Sequence, residues 1–175
     1  MAKNTSSSQN PKSEVAILAG GCFWGVEELL RTYPGVLQTR VGYSGGKVAN
    51  PTYNIVKLGT SDHAESVEVT FDPKILSFEK LLLYFFKLHD PTTKNQQGND
   101  RGTQYRSVIF YKTDEQKKVA EEVKARVEKS GAWKKPIVTE IQAFKEFYPA
   151  EDYHQKYLQK NPDGYTCHFV RDLKF

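Results

Sequence analysis

The chain has 175 residues, 38% of them apolar, and a formal net charge of +4 from 25 basic and 21 acidic side chains. That length suits one domain with its own core, and the apolar share excludes wholesale disorder. The basic residues are interleaved with acids, as between Lys112 and Lys135, so no basic stripe points to nucleic acid, and no apolar run reaches the length of a membrane span.

The polar opening, MAKNTSSSQNPKS, lacks the apolar stretch of a secretory signal, so a cytoplasmic address is expected. Residues 1–13 are expected to form a disordered tail, and 14–175 a single domain. In a reducing compartment two cysteines fit buried or redox-active thiols better than a structural disulfide.

Val15–Ala19 is a short apolar run ending in Gly20-Gly21, which predicts a buried strand that turns. Val26, Leu29 and Leu30 carry helical spacing, so a helix is expected from Cys22 to Arg31, stopped by Pro34-Gly35. Leu37–Tyr43 predicts a second strand, ended by Ser44-Gly45-Gly46, and a loop carries Asn50-Pro51-Thr52-Tyr53. Ser66–Phe71 alternates, with Val67, Val69 and Phe71 on one face. Ser77 caps an apolar helix over Phe78–Leu88. The polar segment from His89 to Gln104 has no periodicity, and loops of that length are often functional. Ser107–Tyr111 predicts a strand. Thr113 and Gln116 form a capping-box pattern for a helix ending at Gly131, with Val119, Val123 and Val127 on one side. Pro136–Phe144 is expected as a strand and Pro149–Lys160 as a short helix. A C-terminal tail follows over 161–175. The expected fold is α+β: a two-layer sandwich with helices packed on a mixed, mainly antiparallel sheet and a ferredoxin-like core. Mild charge and the lack of heptads make a monomer the expectation.

The chemistry concentrates in Gly20-Gly21-Cys22-Phe23-Trp24-Gly25. A thiol in the first turn of a helix lies near unpaired N–H groups and the positive dipole end, which favour thiolate. The glycines permit a sharp turn and close approach of another molecule. Phe23 and Trp24 offer an apolar wall. A buried structural cysteine between two core aromatics fits the same residues. A phosphatase-type thiol would want an Arg about six residues on, where this chain has Glu28. A thiol peroxidase and a non-catalytic binding module also fit, whereas Cys22, Cys167 and His168 lack metal-site spacing.

The motifs GGCFWGVEE (20–28), GYSGG (42–46), NPTY (50–53), HAE (63–65), HDPT (89–92), QGNDRGTQYRS (97–107) and AEDYHQKY (150–157) together resemble the A-type peptide methionine sulfoxide reductases, in order and across most of the chain. The resemblance implies reduction of methionine-S-sulfoxide, free or in proteins, and repair of oxidised proteins. It implies Cys22 as the nucleophile, which becomes a sulfenic acid. Glu65, in a loop just before the Val67–Phe71 strand, matches the acid that must protonate the departing oxygen. For that, burial or the nearby thiolate has to raise its pKa. Tyr53 and Tyr105 match hydroxyl donors, and Phe23 and Trp24 a methyl pocket that selects the S epimer. Asp100 is expected to orient the polar loop or a water. Taken singly, each tyrosine fits core packing, Glu65 a strand-flanking charge and Asp100 a loop cap. His63, His89 and His154 fall in the motifs and are expected in structural hydrogen bonds.

The resemblance further implies that Cys167 resolves the sulfenic acid as a Cys22–Cys167 disulfide. Thioredoxin or another dithiol supplies the electrons, and no metal or organic cofactor takes part. An external thiol reducing Cys22 directly is the alternative. The chain departs from many members in two places. Asp62 stands where they carry Gly, which puts a further carboxylate near Glu65. The tail holds one cysteine, so a two-disulfide relay is excluded.

Overall fold

The computed structural model describes residues 13–175. The expected tail over 1–13 lies outside them except for its last residue. In chain order the elements are β1 (Glu14–Gly20), α1 (Phe23–Arg31), β2 (Val36–Ser44), α2 (Tyr53–Val56), β3 (Ala64–Phe71), α3 (Phe78–Leu88), β4 (Gln96–Gln97), β5 (Asp100–Arg101), β6 (Ser107–Tyr111), α4 (Asp114–Ser130), β7 (Glu140–Ala143), β8 (Phe147–Pro149) and α5 (Tyr157–Lys160).

β1 is central, paired along both edges by β3 and β6, and both its faces are buried. Ala16 and Leu18 enter the main core, while Ile17 and Ala19 enter a smaller cluster with Ala64, Val108 and Phe110 on the opposite face. An unbroken apolar run is what a strand buried on both faces requires. The sheet order is β7-β6-β1-β3-β2-β8. Within it, β1-α1-β2-β3-α3-β6 forms a split β-α-β pair with the strand order β6-β1-β3-β2, all neighbours antiparallel. This is the expected ferredoxin-like core. β7 adds in parallel beside β6, and β8 antiparallel beside β2, making the sheet mixed.

α3 drives the packing. Leu81, Leu82, Phe85, Phe86 and Leu88 are fully buried, each contributing roughly 1.5–3 kcal/mol. Ser77 caps α3 through Lys80 N–H, and Thr113 caps α4 through Gln116 N–H. Gly131 closes α4 in the left-handed conformation, as the sequence predicts.

Four local expectations are corrected. The Pro136–Phe144 strand shrinks to β7, because Val138 N–H is drawn away to the Pro91 carbonyl at 2.8 Å. The Pro149–Lys160 helix is instead the end of β8, a 3₁₀ turn at Asp152–His154 and the single turn of α5. The Gln155 amide accepts from Val41 N–H and donates to the carbonyls of Val41 and Ala150, which ties the chain to the edge of β2 and outweighs helical periodicity. Asn50–Tyr53 leads into α2, capped by Thr52. Glu65 lies inside β3, paired in register with Tyr43, rather than in a loop before it.

Candidate active site

The site begins where β1 hands over to α1. Gly21 sits at φ +101°, a conformation that residues with a Cβ resist. The sharp turn it permits places Cys22 at the cap of α1, not in its first turn, and the thiol makes no capping bond.

Around Cys22 is a small cavity of about 110 Å³, lined by Phe23, Trp24, Tyr53, Glu65, Asp100 and Tyr105, with Tyr165 completing it. Every expected site residue except Cys167 is therefore in its wall, and Cys167 reaches the wall through Asp100. A larger hollow of about 470 Å³ lies among Glu14, Phe78, Glu79 and Glu115 and holds no thiol.

Glu65 is 2% exposed. Its Oε1 accepts from Phe23 N–H at 3.1 Å, the first amide of α1. Burial, assisted by the charge of Asp100, outweighs that bond and pushes its pKa to about 8. At neutral pH the carboxyl is protonated, as an acid for the oxygen requires. The raising charge is that of Asp100, not a Cys22 thiolate.

Cys22 departs from expectation. Burial first and the Glu65 charge second push the thiol well above its ordinary range, against a smaller lowering from Trp24 N–H. The helix end favours thiolate, but desolvation by burial wins. When Glu65 is protonated, its part of that opposition disappears. Burial likewise raises Tyr53 and Tyr105, which stay neutral donors.

The motif AEDYHQKY builds the supports. Trp24 Nε1 donates to His154 Nδ1 at 2.9 Å, and the indole stacks on Tyr157 with centroids 3.8 Å apart. Indole is only a donor, so the His154 proton sits on Nε2, which is buried without a partner. Glu151 accepts from Tyr43 Oη at 2.9 Å and from Tyr53 N–H at 3.0 Å, which fixes the start of α2 and hence Tyr53. Glu27, buried in α1, accepts from Thr39 Oγ1 and Lys156 N–H and binds α1 to the segment before α5. His63 accepts from Gly46 N–H at 3.0 Å and donates to the Val48 carbonyl. His89 joins the end of α3 to Ser107 on β6. The structural roles expected for these histidines are met.

Tyr165 and Glu151 are the site residues that sequence reading passed over. Glu151 lay in a quoted motif, whereas Tyr165 carried no signal beyond the aromatic tail. Asp62 adopts φ +61° and pairs with Lys47 at 3.2 Å on the surface, so its charge is turned away from Glu65.

The glycines serve a purpose that sequence reading did not find. A Cβ on Gly25 would strike His168 and Thr166, and one on Gly21 would strike Gln97 and His168. The space they leave is filled by the chain's own Gln97, Thr166 and His168, not by an outside molecule. His168 Nε2 donates to the Gly20 carbonyl at 2.7 Å and holds Cys167 beside Asp100. Gly25→Ala is therefore expected to destabilise the fold by about 1–3 kcal/mol through overpacking, read as a lower urea midpoint with an unchanged slope.

A cysteine sharing a small cavity with a protonated carboxyl and two phenols is the arrangement of a thiol-dependent oxidoreductase. The profile of the family "Peptide methionine sulfoxide reductase" matches residues 14–175. The chain is 57% identical over 159 residues to peptide methionine sulfoxide reductase MsrA 1 of Mesorhizobium japonicum, covering 91% of this chain and 90% of that protein. The fold is similar to that of Mxr1 from Saccharomyces cerevisiae in reduced form, with a TM-score of 0.87, 40% identity and coverage of 92% and 93%. Mxr1 in complex with Trx2 matches at a TM-score of 0.64 and 27% identity, over 97% of each chain. The chain belongs to the peptide methionine sulfoxide reductase family and is an enzyme of thiol-dependent methionine sulfoxide reduction. Among the described residues no group of three or more His, Cys, Asp or Glu is gathered for a metal, and no helix is long and apolar enough to cross a membrane.

Proposed function

We propose that the chain reduces the S epimer of methionine sulfoxide, free or in proteins, with Cys22 as nucleophile, Glu65 as acid and Cys167 as the resolving thiol. The observation that carries this reading is the buried Glu65, with a pKa near 8, in the same cavity as Cys22. A cavity of about 110 Å³ has room for the methyl and sulfinyl head of the substrate while its main chain stays outside. Phe23 and Trp24 receive the methyl group. The oxygen then faces Glu65, Tyr53 and Tyr105, and the orientation exposes one face of the chiral sulfur to Sγ.

Glu65 protonates the oxygen, which makes the sulfur electrophilic as Sγ attacks it. The thiol proton passes to the Glu65 carboxylate as the S–S bond forms. That bond then breaks as the hydroxyl moves from the substrate sulfur to Sγ, leaving Cys22 as a sulfenic acid, oxidised by two electrons, and the substrate as a thioether, reduced by two. Cys167 then displaces the hydroxyl, forming the Cys22–Cys167 disulfide and water. A thioredoxin or similar dithiol reduces that disulfide by exchange. The solved complex of Mxr1 with Trx2 supports this choice of reductant. The chemistry is assigned to these side chains without a metal or organic cofactor. The working unit is taken to be a monomer of one catalytic domain, and its place the cytoplasm.

The test mixes reduced protein with each epimer of a methionine sulfoxide peptide, then counts methionine formed and thiols lost. The expected result is reduction of the S epimer alone, one methionine per chain with both thiols consumed, and many with thioredoxin present. Reduction of neither epimer would overturn the substrate assignment. Cys167→Ser is expected to give a single turnover and then stall with thioredoxin as reductant. Undiminished cycling would reject the resolving role.

A further inference from the structure

One carboxylate touches both halves of the thiol chemistry. Asp100, the first residue of β5, lines the cavity that holds Cys22. Its Oδ2 accepts from the Cys167 thiol at 3.8 Å, and its Oδ1 from the Tyr165 hydroxyl at 3.4 Å. A carboxylate that only capped its own loop would not need two partners from a segment more than sixty residues away. We propose that Asp100 relays a proton in the second step, taking it from the Cys167 thiol and delivering it to the hydroxyl that leaves Cys22. The inference rests on the Cys22–Cys167 reading given above and assigns the step that reading leaves without a base.

The atoms balance without an outside reagent. Cys167 Sγ attacks the sulfenic sulfur as its proton passes to Asp100. The S–S bond forms and the S–O bond breaks. The hydroxyl leaves with the bonding pair and takes the same proton from Asp100 to become water, and the carboxylate is restored. The two sulfurs share the disulfide, so the oxidising equivalent placed on Cys22 by the substrate is conserved.

Two other acceptors lie as close to Cys167 Sγ, the Gln97 carbonyl and His168 Nδ1, both at 3.8 Å. A peptide carbonyl is far too weak a base. His168 is 7% exposed, and burial holds its pKa down to about 4. Its proton on Nε2 is committed to Gly20, and it has no place in the cavity wall from which to reach the leaving oxygen. Asp100 meets both demands. Burial raises its proton affinity above that of a free aspartate, while the bonds from Tyr165 and Cys167 hold the carboxylate within range. The thiol needs such help, because burial first and the Asp100 charge second raise Cys167 above its ordinary value, so little thiolate forms unaided. The titratable groups facing Asp100 are Tyr165 and Cys167 from the tail, Glu65 from β3, Tyr53 from α2, Tyr105 after β5 and Cys22. The phenols all titrate above the neutral range, which leaves Glu65, with its pKa near 8, as the one to separate by experiment.

The experiment uses the full chain, reduced, with one equivalent of N-acetyl-methionine-S-sulfoxide in rapid quench. Methionine release and disulfide formation are timed separately, and a 1,3-dione traps accumulated sulfenic acid. Asp100→Asn and Asp100→Glu are compared with wild type from about pH 6 to about pH 9. Asp100→Asn is expected to slow disulfide formation at neutral pH by on the order of 10²-fold, at least tenfold more than methionine release, with trapped sulfenic acid. That deficit shrinks as pH rises and Cys167 ionises by itself. Asp100→Glu recovers most of the rate. The Glu65 titration instead alters methionine release in all three proteins alike. Equal slowing of the two steps in Asp100→Asn, or a deficit independent of pH, would overturn the relay. So would loss of methionine release itself, which would place Asp100 in the first step. Wild type that releases methionine yet loses only one thiol would instead refute the Cys22–Cys167 reading, and the relay with it.

Discussion

Glu65→Gln is expected to lower the rate of sulfoxide reduction by about 10²–10⁴-fold, the usual weight of a positioned general acid. Gln keeps the size of the side chain and an oxygen to accept from Phe23 N–H, so α1 stays anchored. What it lacks is the proton. Wild-type activity that depends on this acid is expected to fall as pH rises through about 8, while the residual activity of Glu65→Gln lacks that limb. Stability gives an independent check with a definite sign. The folded pKa lies above the unfolded value of 4.5, so the protonated form is favoured by folding. Wild-type stability from this group is fully present below pH 4.5 and is lost as pH rises through about 8. Glu65→Gln should therefore gain on wild type in urea midpoint between acid and alkaline pH. A constant difference across that window would mean that Glu65 is ionised throughout and cannot be the acid.

Cys22→Ser is expected to remove reduction of both free and peptide substrate, by on the order of 10⁴–10⁶-fold, as loss of a covalent nucleophile does. The fold should remain, because serine is smaller than cysteine and a favourable residue at a helix cap. The thiol at this position makes no capping bond. Unchanged or slightly higher stability together with absent methionine release would place the loss in the chemistry. Substantial activity in this variant would sink the mechanism and leave Cys167 as the thiol to examine.

The order of strands and helices was legible because it rests on local signals. β1 reads as an unbroken apolar run, α3 as an apolar helix behind Ser77, and α4 as a helix between Thr113 and Gly131. What was not legible depends on bonds between distant segments. Residues 150–160 carry helical spacing, but Gln155 and Glu27 recruit them to β2 and α1 through contacts more than a hundred residues apart in sequence. The glycine-flanked helix start marked Cys22 as a candidate by itself, whereas Glu65, Tyr53 and Tyr105 were named by motif resemblance and would singly have been set aside as surface charge or packing. The sign of the Cys22 shift was missed because the helix end is visible in sequence and the depth of burial is not. Tyr165 was missed because nothing local marks a tail tyrosine as part of a wall closed by Cys22 and Glu65.

The slot cut by Gly21 and Gly25 ties the site to chain synthesis. His168 docks on Gly20 across 148 residues of sequence, and Tyr165 closes the cavity that Cys22 opens. While the chain is being made, the nucleophile and its acid leave the ribosome long before the segment that seals them in. Until residues 165–168 have emerged, Cys22 lacks the Tyr165 part of its cavity wall and the Cys167 thiol held beside Asp100. Competence for the full cycle thus waits until this segment has emerged and settled into its groove.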